Sequence, residues 1–169
     1  DQGLLGVLAA AALRGVAVEI VLPERSNLRV VDWATRALLW QVLEHGCRVF
    51  LTPAPFDHSK LLVVDHSYVM FGSGNWDART TRLNFELDVE CYDPELAARA
   101  EALAEERIAR SREVTLADVD RRPMPVKLRD GAAAPAVGAE DPEGAVAHPL
   151  VAHQTHQVRH RRKQFGVVG

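Results

Sequence analysis

The sequence predicts an α/β domain, a mixed β-sheet flanked by helices. Two observations carry that prediction. Short β-branched runs bounded by Gly, Pro or Asp alternate with longer segments of helical periodicity, in the order helix, strand, helix, strand, strand, strand, helix. The chain has 169 residues, 47% hydrophobic and 25% charged, which suits one domain with a buried core.

Taken in order, Leu4, Leu5, Leu8, Ala12 and Leu13 recur at helical spacing, and Gly15 is a natural stop. Val16 to Leu22 alternates, is β-branched, and ends as a strand at Pro23. After a loop, Val31 to Glu44 reads as a helix closed by Gly46. Cys47 to Leu51 is a short strand broken by Pro53 and Pro55. His58 to Val64 and Tyr68 to Phe71 form a hairpin about the turn Asp65 to Ser67, followed by the glycine-bearing loop Gly72 to Asn75. Phe85 to Cys91 is a further strand, stopped by Asp93-Pro94. Glu95 to Arg112 is rich in Ala, Leu, Glu and Arg and is the clearest helix. Leu116 to Arg121 adds one more turn.

Periodicity fails after Pro123. Residues 131–144 are mostly Ala, Pro, Gly and acid, so residues 1–130 are expected to form the domain and 131–169 a low-complexity, disordered tail. From Ala145 onward there are four basic residues and no acidic one. The preceding residues hold 16 Lys/Arg against 23 Asp/Glu, a net −7 within an overall −3. An acidic body argues against a general nucleic-acid binder. The apolar run Gly3 to Leu13 is too short to span a bilayer. Cys47 and Cys91 have neither CxxC nor zinc spacing and read as buried apolar residues. The chain starts at Asp1 with a helical pattern almost at once, as a piece of a longer protein would; processing is the plainer alternative.

The chemistry concentrates in His58-Ser59-Lys60-Leu61-Leu62-Val63-Val64-Asp65, followed six residues later by Gly72-Ser73-Gly74-Asn75. Alternation along a strand puts His58 and Lys60 on one face. Gly72 and Gly74 allow close backbone approach, and Ser73 and Asn75 supply neutral hydrogen-bonding groups. An imidazole, an ammonium, a hydroxyl and an amide converging on one spot suit a tetrahedral oxyanion, of which phosphate is the obvious case. Lys60, Ser73 and Asn75 would stabilise charge on phosphoryl oxygens. His58 could attack phosphorus or hand a proton to the leaving oxygen. Six residue types at set spacing, each at ~5% usage, arise by chance at roughly one in 10⁷ to 10⁸ per start position.

This pattern, HxKxxxxD then GSxN, resembles the phospholipase D superfamily. Glu86 adds to the match, because that superfamily places a Glu after the GSxN loop to orient a catalytic His. Asn75-Trp76-Asp77-Ala78-Arg79 and Leu83-Asn84-Phe85-Glu86-Leu87 look like runs of bacterial cardiolipin synthases. So do Pro23-Glu24-Arg25-Ser26, Asp32-Trp33-Ala34-Thr35-Arg36 and Pro55-Phe56-Asp57-His58, all similar to the C-terminal half of that family. Ala78 stands where proline is usual, and Thr80-Thr81 where Ser and an apolar residue are usual. The tail after Arg129 does not resemble the family's end.

The resemblance implies a phospholipase D-like fold and ping-pong phosphatidyl transfer between phospholipids, through a phosphohistidine, to make cardiolipin. It implies no metal and no cofactor. His58, Lys60, Asp65 and Glu86 are the implied catalytic residues, with Lys60, Ser73 and Asn75 holding phosphate. In two-motif members the second-half His acts as acid and base, which is the role expected of His58; Asp65 is expected to be structural more than chemical. The implied substrate is a phosphatidylglycerol-like phospholipid, with no nucleic acid as partner and a peripheral place at the cytoplasmic face of a bacterial membrane. A second HxKxxxxD is absent from the sequence, so the other HKD half is expected upstream in a longer protein or from a second chain. The alternatives are a phospholipase or nuclease of the same superfamily, with water as acceptor, and an inactive truncated fragment.

Weaker features have plainer explanations. His156 and His160 are spaced as metal ligands on a helix would be, but in a segment with no helical signal. The run Arg159 to Lys163 suits anionic headgroups or simply solvent. Trp33 and Trp40 are expected in the core, and Trp76, after the phosphate loop, near lipid.

Overall fold

The computed structural model describes residues 2–26, 28–55, 59–73, 86–139 and 151–155. The elements are α1 (Gln2–Leu13), β1 (Ala17–Pro23), α2 (Arg29–Leu43), β2 (Arg48–Thr52), β3 (Lys60–Val64), β4 (Tyr68–Gly72), β5 (Asp88–Tyr92), α3 (Pro94–Arg110), β6 (Arg112–Val114), α4 (Leu116–Asp120), α5 (Met124–Ala139) and β7 (Val151–Thr155). Among the described residues the strands form one mixed sheet in the order β5-β4-β3-β7-β1-β2-β6. β1 and β2 are parallel, as are β3 and β7; the other neighbours are antiparallel.

Helices cover both faces, as the element order predicts. On one face Val18, Ile20, Leu22, Val49 and Leu51 are buried under α1 and α2, with Leu8, Leu39 and Val42 completing the cluster. On the other, Val21, Phe50, Leu61, Val63 and Val69 meet Ala97, Ala100 and Ala104 of α3. Small side chains at spacing three and four let α3 lie close on the sheet. Its start is fixed by Asp93, whose carboxylate accepts from the backbone N–H groups of Glu95 (2.8 Å) and Leu96 (3.2 Å), with Pro94 as first residue. Each buried Val, Leu, Ile or Phe contributes about 1.5–3 kcal/mol relative to exposure, so these two clusters dominate stability.

Three differences from the sequence-based expectations have physical causes. Helix α5 passes the expected boundary at 130 and continues to Ala139, carried by its alanines and by packing on α2 against the low propensity of Gly131, Pro135 and Gly138. It packs on α2, anchored by Asp130, which is wholly buried between Arg122 (2.7 Å) and Arg129 (2.6 Å). Val151–Thr155, expected in a disordered tail, is the strand between β3 and β1; residues 140–150 and 156–169, with the His156/His160 pair and the basic run, lie outside the described residues. Trp40, expected in the core, is 46% exposed, on an open groove between α1 and α2 that Leu5, Ala9, Leu13 and His45 also line. Trp33 instead lies under the Arg129 guanidinium, 4.5 Å from ring centre to Cζ. Cys47 is buried as expected, and its thiol is pushed up by that burial.

Candidate functional site

Strand directions decide which loops meet. β3 runs antiparallel to β4, and β7, which is parallel to β3, runs antiparallel to β1. The start of β3, the end of β4, the start of β5 and the ends of β1 and β2 therefore share one end of the sheet. Lys60, Gly72-Ser73, Glu86-Leu87 and the β1–α2 connection Pro23–Leu28 all lie there. His58, at the entrance to β3, and Asn75 and Trp76, beyond β4, lie outside the described residues.

Lys60 is the first residue of β3 and is only 4% exposed. A buried ammonium is tolerated only among polar or charged partners. The register aligns Leu62, Ala152 and Ile20 across three strands, and Ile20 belongs to the face beneath α1 and α2. Lys60, two residues from Leu62, emerges on that same face, while Leu61 and Val63 anchor the strand under α3. Arg107, near the end of α3, donates to Ser59 Oγ at 3.3 Å and ties the start of β3 to that helix.

Opposite Lys60 stands Gly72, which also pairs with Asp88 of β5. A Cβ at Gly72 would collide with the Leu87 carbonyl oxygen and with Asp88, so only glycine allows this close approach. The next residue closes the loop onto β5. Ser73 donates its backbone N–H to the Leu87 carbonyl at 3.0 Å and accepts the Leu87 N–H on Oγ at 3.1 Å. Glu86, exposed, directly precedes that clasp. Lys60, Ser73 and Glu86 are thus brought to one place by two pairs of strands.

Asp65 is not part of that gathering. It occupies the exposed turn at the opposite end of β3, about 16 Å from Lys60 at strand rise. Asp65 and His66 have φ of 48° and 56°, and Ser67 N–H donates to the Val64 carbonyl at 3.2 Å, the pattern of a type I′ hairpin turn. Asp is among the residues that tolerate this conformation. His66 Nδ1 lies 2.8 Å from the Glu101 carboxylate on α3, which fastens the turn to the helix.

Two constructions were not read from the sequence. One is the bracing of the β1–α2 connection. Ser26 N–H donates to Asp32 Oδ1 at 2.8 Å, Ser26 Oγ donates to the Leu28 carbonyl at 2.7 Å, and Arg36 Nη2 donates to the Glu24 carbonyl at 3.4 Å. The signal was present in Ser26, Asp32 and Arg36, whose spacing brings the first turns of α2 back under the loop. The other is the Asp130 cluster, in which Arg122 Nη2 also donates to the Arg36 carbonyl at 3.1 Å, joining α5 to the helix that braces the loop.

Comparison with known proteins agrees with this geometry. A family profile described as "Cardiolipin synthase, PLD-like domain" matches residues 1–108. Cardiolipin synthase 1 of Staphylococcus epidermidis is 32% identical over 133 residues, 79% of this chain and 27% of that protein. The major cardiolipin synthase ClsA of Bacillus subtilis is 32% identical over 130 residues, 77% of this chain and again 27% of that protein. The chain thus spans about a quarter of the length of these curated relatives. Among solved structures, the phospholipase D family member Nuc from Salmonella typhimurium aligns with a TM-score of 0.59 and 28% identity, over 66% of this chain and 72% of that one. The family match over residues 1–108, together with a sheet that gathers Lys60, Ser73 and Glu86 at one end, establishes that the chain belongs to the cardiolipin synthase PLD-like domain family.

Proposed function

We propose that this chain supplies the second HKD half-site of a phosphatidyltransferase that makes cardiolipin from two phosphatidylglycerol-like lipids. The observation that carries the reading is the gathering of Lys60, Ser73 and Glu86 at one sheet end, with His58 and Asn75 in the segments that lead into and out of it. In the first step the histidine of the other half attacks phosphorus. The bond to the headgroup glycerol breaks, and His58 gives its proton to the departing oxygen. In the second step His58 takes the proton of an acceptor lipid's primary hydroxyl. That oxygen attacks the phosphohistidine, the P–N bond breaks, and the products balance as one cardiolipin and one glycerol. Lys60, Ser73 and Asn75 stabilise charge on the phosphoryl oxygens throughout. Glu86 orients a histidine, and Asp65 holds the hairpin turn.

Membrane association follows from the substrate, at the surface of a bacterial membrane on its cytoplasmic face. No helix among the described residues is long and apolar enough to cross a bilayer. The test is conversion of phosphatidylglycerol to cardiolipin and glycerol by the chain, alone and joined to a second HKD half. Activity is expected only with the second half. His58→Asn should nearly abolish it, and Glu86→Gln should reduce it less. Robust turnover by the single chain at concentrations too low for dimers would overturn the half-site reading. Release of phosphatidic acid in place of cardiolipin would identify water as the acceptor.

A further inference from the structure

We propose that Arg25 and Arg29 form the subsite for the acceptor lipid's own phosphodiester and so select a phospholipid over water or a neutral alcohol. The inference rests on the transferase reading above and adds to it the residues that recognise the acceptor. It starts from a census of arginines. Of those whose side chains are described, Arg36, Arg48, Arg99, Arg107, Arg110, Arg112, Arg121, Arg122 and Arg129 each have a polar partner. Arg14, Arg25 and Arg29 make no ion pair or hydrogen bond among the described residues, and all three are exposed. Arg14 follows α1, at the end of the sheet away from Lys60. Arg25 and Arg29 flank a single short connection at the Lys60 end.

That connection is braced. Asp32 and Arg36 are both engaged in holding its backbone, through Ser26 N–H and the Glu24 carbonyl, and the Glu24 carboxylate stands 3.8 Å from Arg112. The two guanidiniums are therefore carried on a fixed frame, and the described carboxylates of that frame, Glu24 and Asp32, already have partners. The cavity beneath the loop, about 20 Å³, has room for a single water and none for a headgroup. An anion must be met on the outer side, where Arg25 and Arg29 are exposed.

The placement matches the reaction. α2 begins on the same face of the sheet from which Lys60 emerges. β1 and β3 are separated by β7 alone, so their ends lie two strand spacings, about 10 Å, apart. In the second step the acceptor's hydroxyl must reach phosphorus at the Lys60 site. The acceptor's own phosphorus then lies one glycerol bridge away, on the order of 6–7 Å by covalent geometry. An arginine from the β1–α2 connection covers the remaining gap. Its planar fork suits two oxygens of a phosphodiester. Water and neutral alcohols carry no such group.

The experiment compares two acceptors in one tube. The chain joined to its second HKD half is given mixed micelles of phosphatidylglycerol and neutral detergent with ethanol present, and both cardiolipin and phosphatidylethanol are measured. Arg25→Ala/Arg29→Ala should lower the ratio of cardiolipin to phosphatidylethanol at least tenfold, with a raised apparent KM for acceptor lipid. Arg25→Lys/Arg29→Lys should restore part of the ratio. Arg14→Ala, which removes a positive charge from the other end of the sheet, should leave the ratio as it is. A ratio unchanged in the double variant, or lowered equally by Arg14→Ala, overturns the subsite; the latter outcome would mean that overall charge recruits the enzyme to anionic lipid. Formation of phosphatidylethanol without cardiolipin by the unaltered enzyme would overturn the cardiolipin-forming reading on which the subsite rests, and is separate from both results.

Discussion

The two ends of β3 belong to one motif and are built on opposite principles. At the Lys60 end a charged side chain is buried, a glycine admits a neighbouring strand too close for any other residue, and Arg25 and Arg29 have no counter-ion among the described residues. At the Asp65 end polar groups are matched at the surface. His66 meets Glu101, and Arg48, at the start of β2, reaches Glu19 at 2.7 Å and Glu113 at 2.9 Å. Matched charges at the surface fix a shape, whereas burying a charge costs stability that the rest of the fold must offset. The comparison teaches that the K and the D of an HxKxxxxD motif sit in opposite surroundings because a strand separates them.

Substitutions at each end sharpen or break that contrast. Lys60→Met keeps the side chain's length and removes its charge. Turnover of the complete enzyme should fall about 10² to 10³-fold, as for loss of one oxyanion donor. Unchanged turnover in a folded Lys60→Met enzyme would mean that Lys60 serves the fold alone. Gly72→Ala drives a methyl group into the Leu87 carbonyl and Asp88, and should cost about 1–3 kcal/mol in denaturant unfolding. At the other end Asp65→Val places a β-branched residue at φ 48° and should cost about 1–2 kcal/mol. Asp65→Gly should be close to neutral, with turnover near that of the parent; a loss matching that of Lys60→Met would give Asp65 a chemical role. The smallest effect concerns pH. Arg48 holds the Glu113 carboxyl below its ordinary value, so the pair's contribution is complete above that value and disappears as pH falls through the lowered one. Glu113→Gln should therefore flatten the acid side of a stability–pH curve by at most about 1 kcal/mol, as for exposed pairs generally.

The elements that make up the core were legible because their signals are local. Alternation and β-branching announce β1, β2, β3 and β4, and Asp93-Pro94 marks the start of α3 to within a residue. Phe85 to Cys91 was shifted by up to three residues from the observed Asp88–Tyr92, since apolar residues before the strand cannot be told from those within it. β6 and β7 were not read at all. Three residues, Arg112–Val114, become a strand only by pairing with β2, and Val151–Thr155 only by entering between β1 and β3. Of the site, Lys60, Ser73 and Glu86 could be read from spacing, and strand order brings them together. Nothing in the local sequence distinguishes Arg25 and Arg29, which are exposed, from other surface arginines. Asp130, beside Arg129 in a charged stretch, gives no local sign of burial and is wholly buried.

That carboxylate has a consequence for where the domain can be cut. Of two chains that both lack β7, one ending at Arg129 lacks the carboxylate kept by one ending at Asp130, yet keeps the guanidiniums of Arg122 and Arg129 that had shared it beside the ring of Trp33. Removing one member of a buried ionic cluster typically costs about 3–5 kcal/mol, a large fraction of a small domain's margin. Shortening further, to Arg121, removes the whole cluster and uncovers the flank of α2 against which α5 rests. A truncation series would therefore be uneven, with the chain ending just before Asp130 faring worse than its nearest longer neighbour by far more than one residue's share. Along the seam between α2 and α5, one buried counter-ion outweighs its neighbours in a stretch whose composition gives no sign of it.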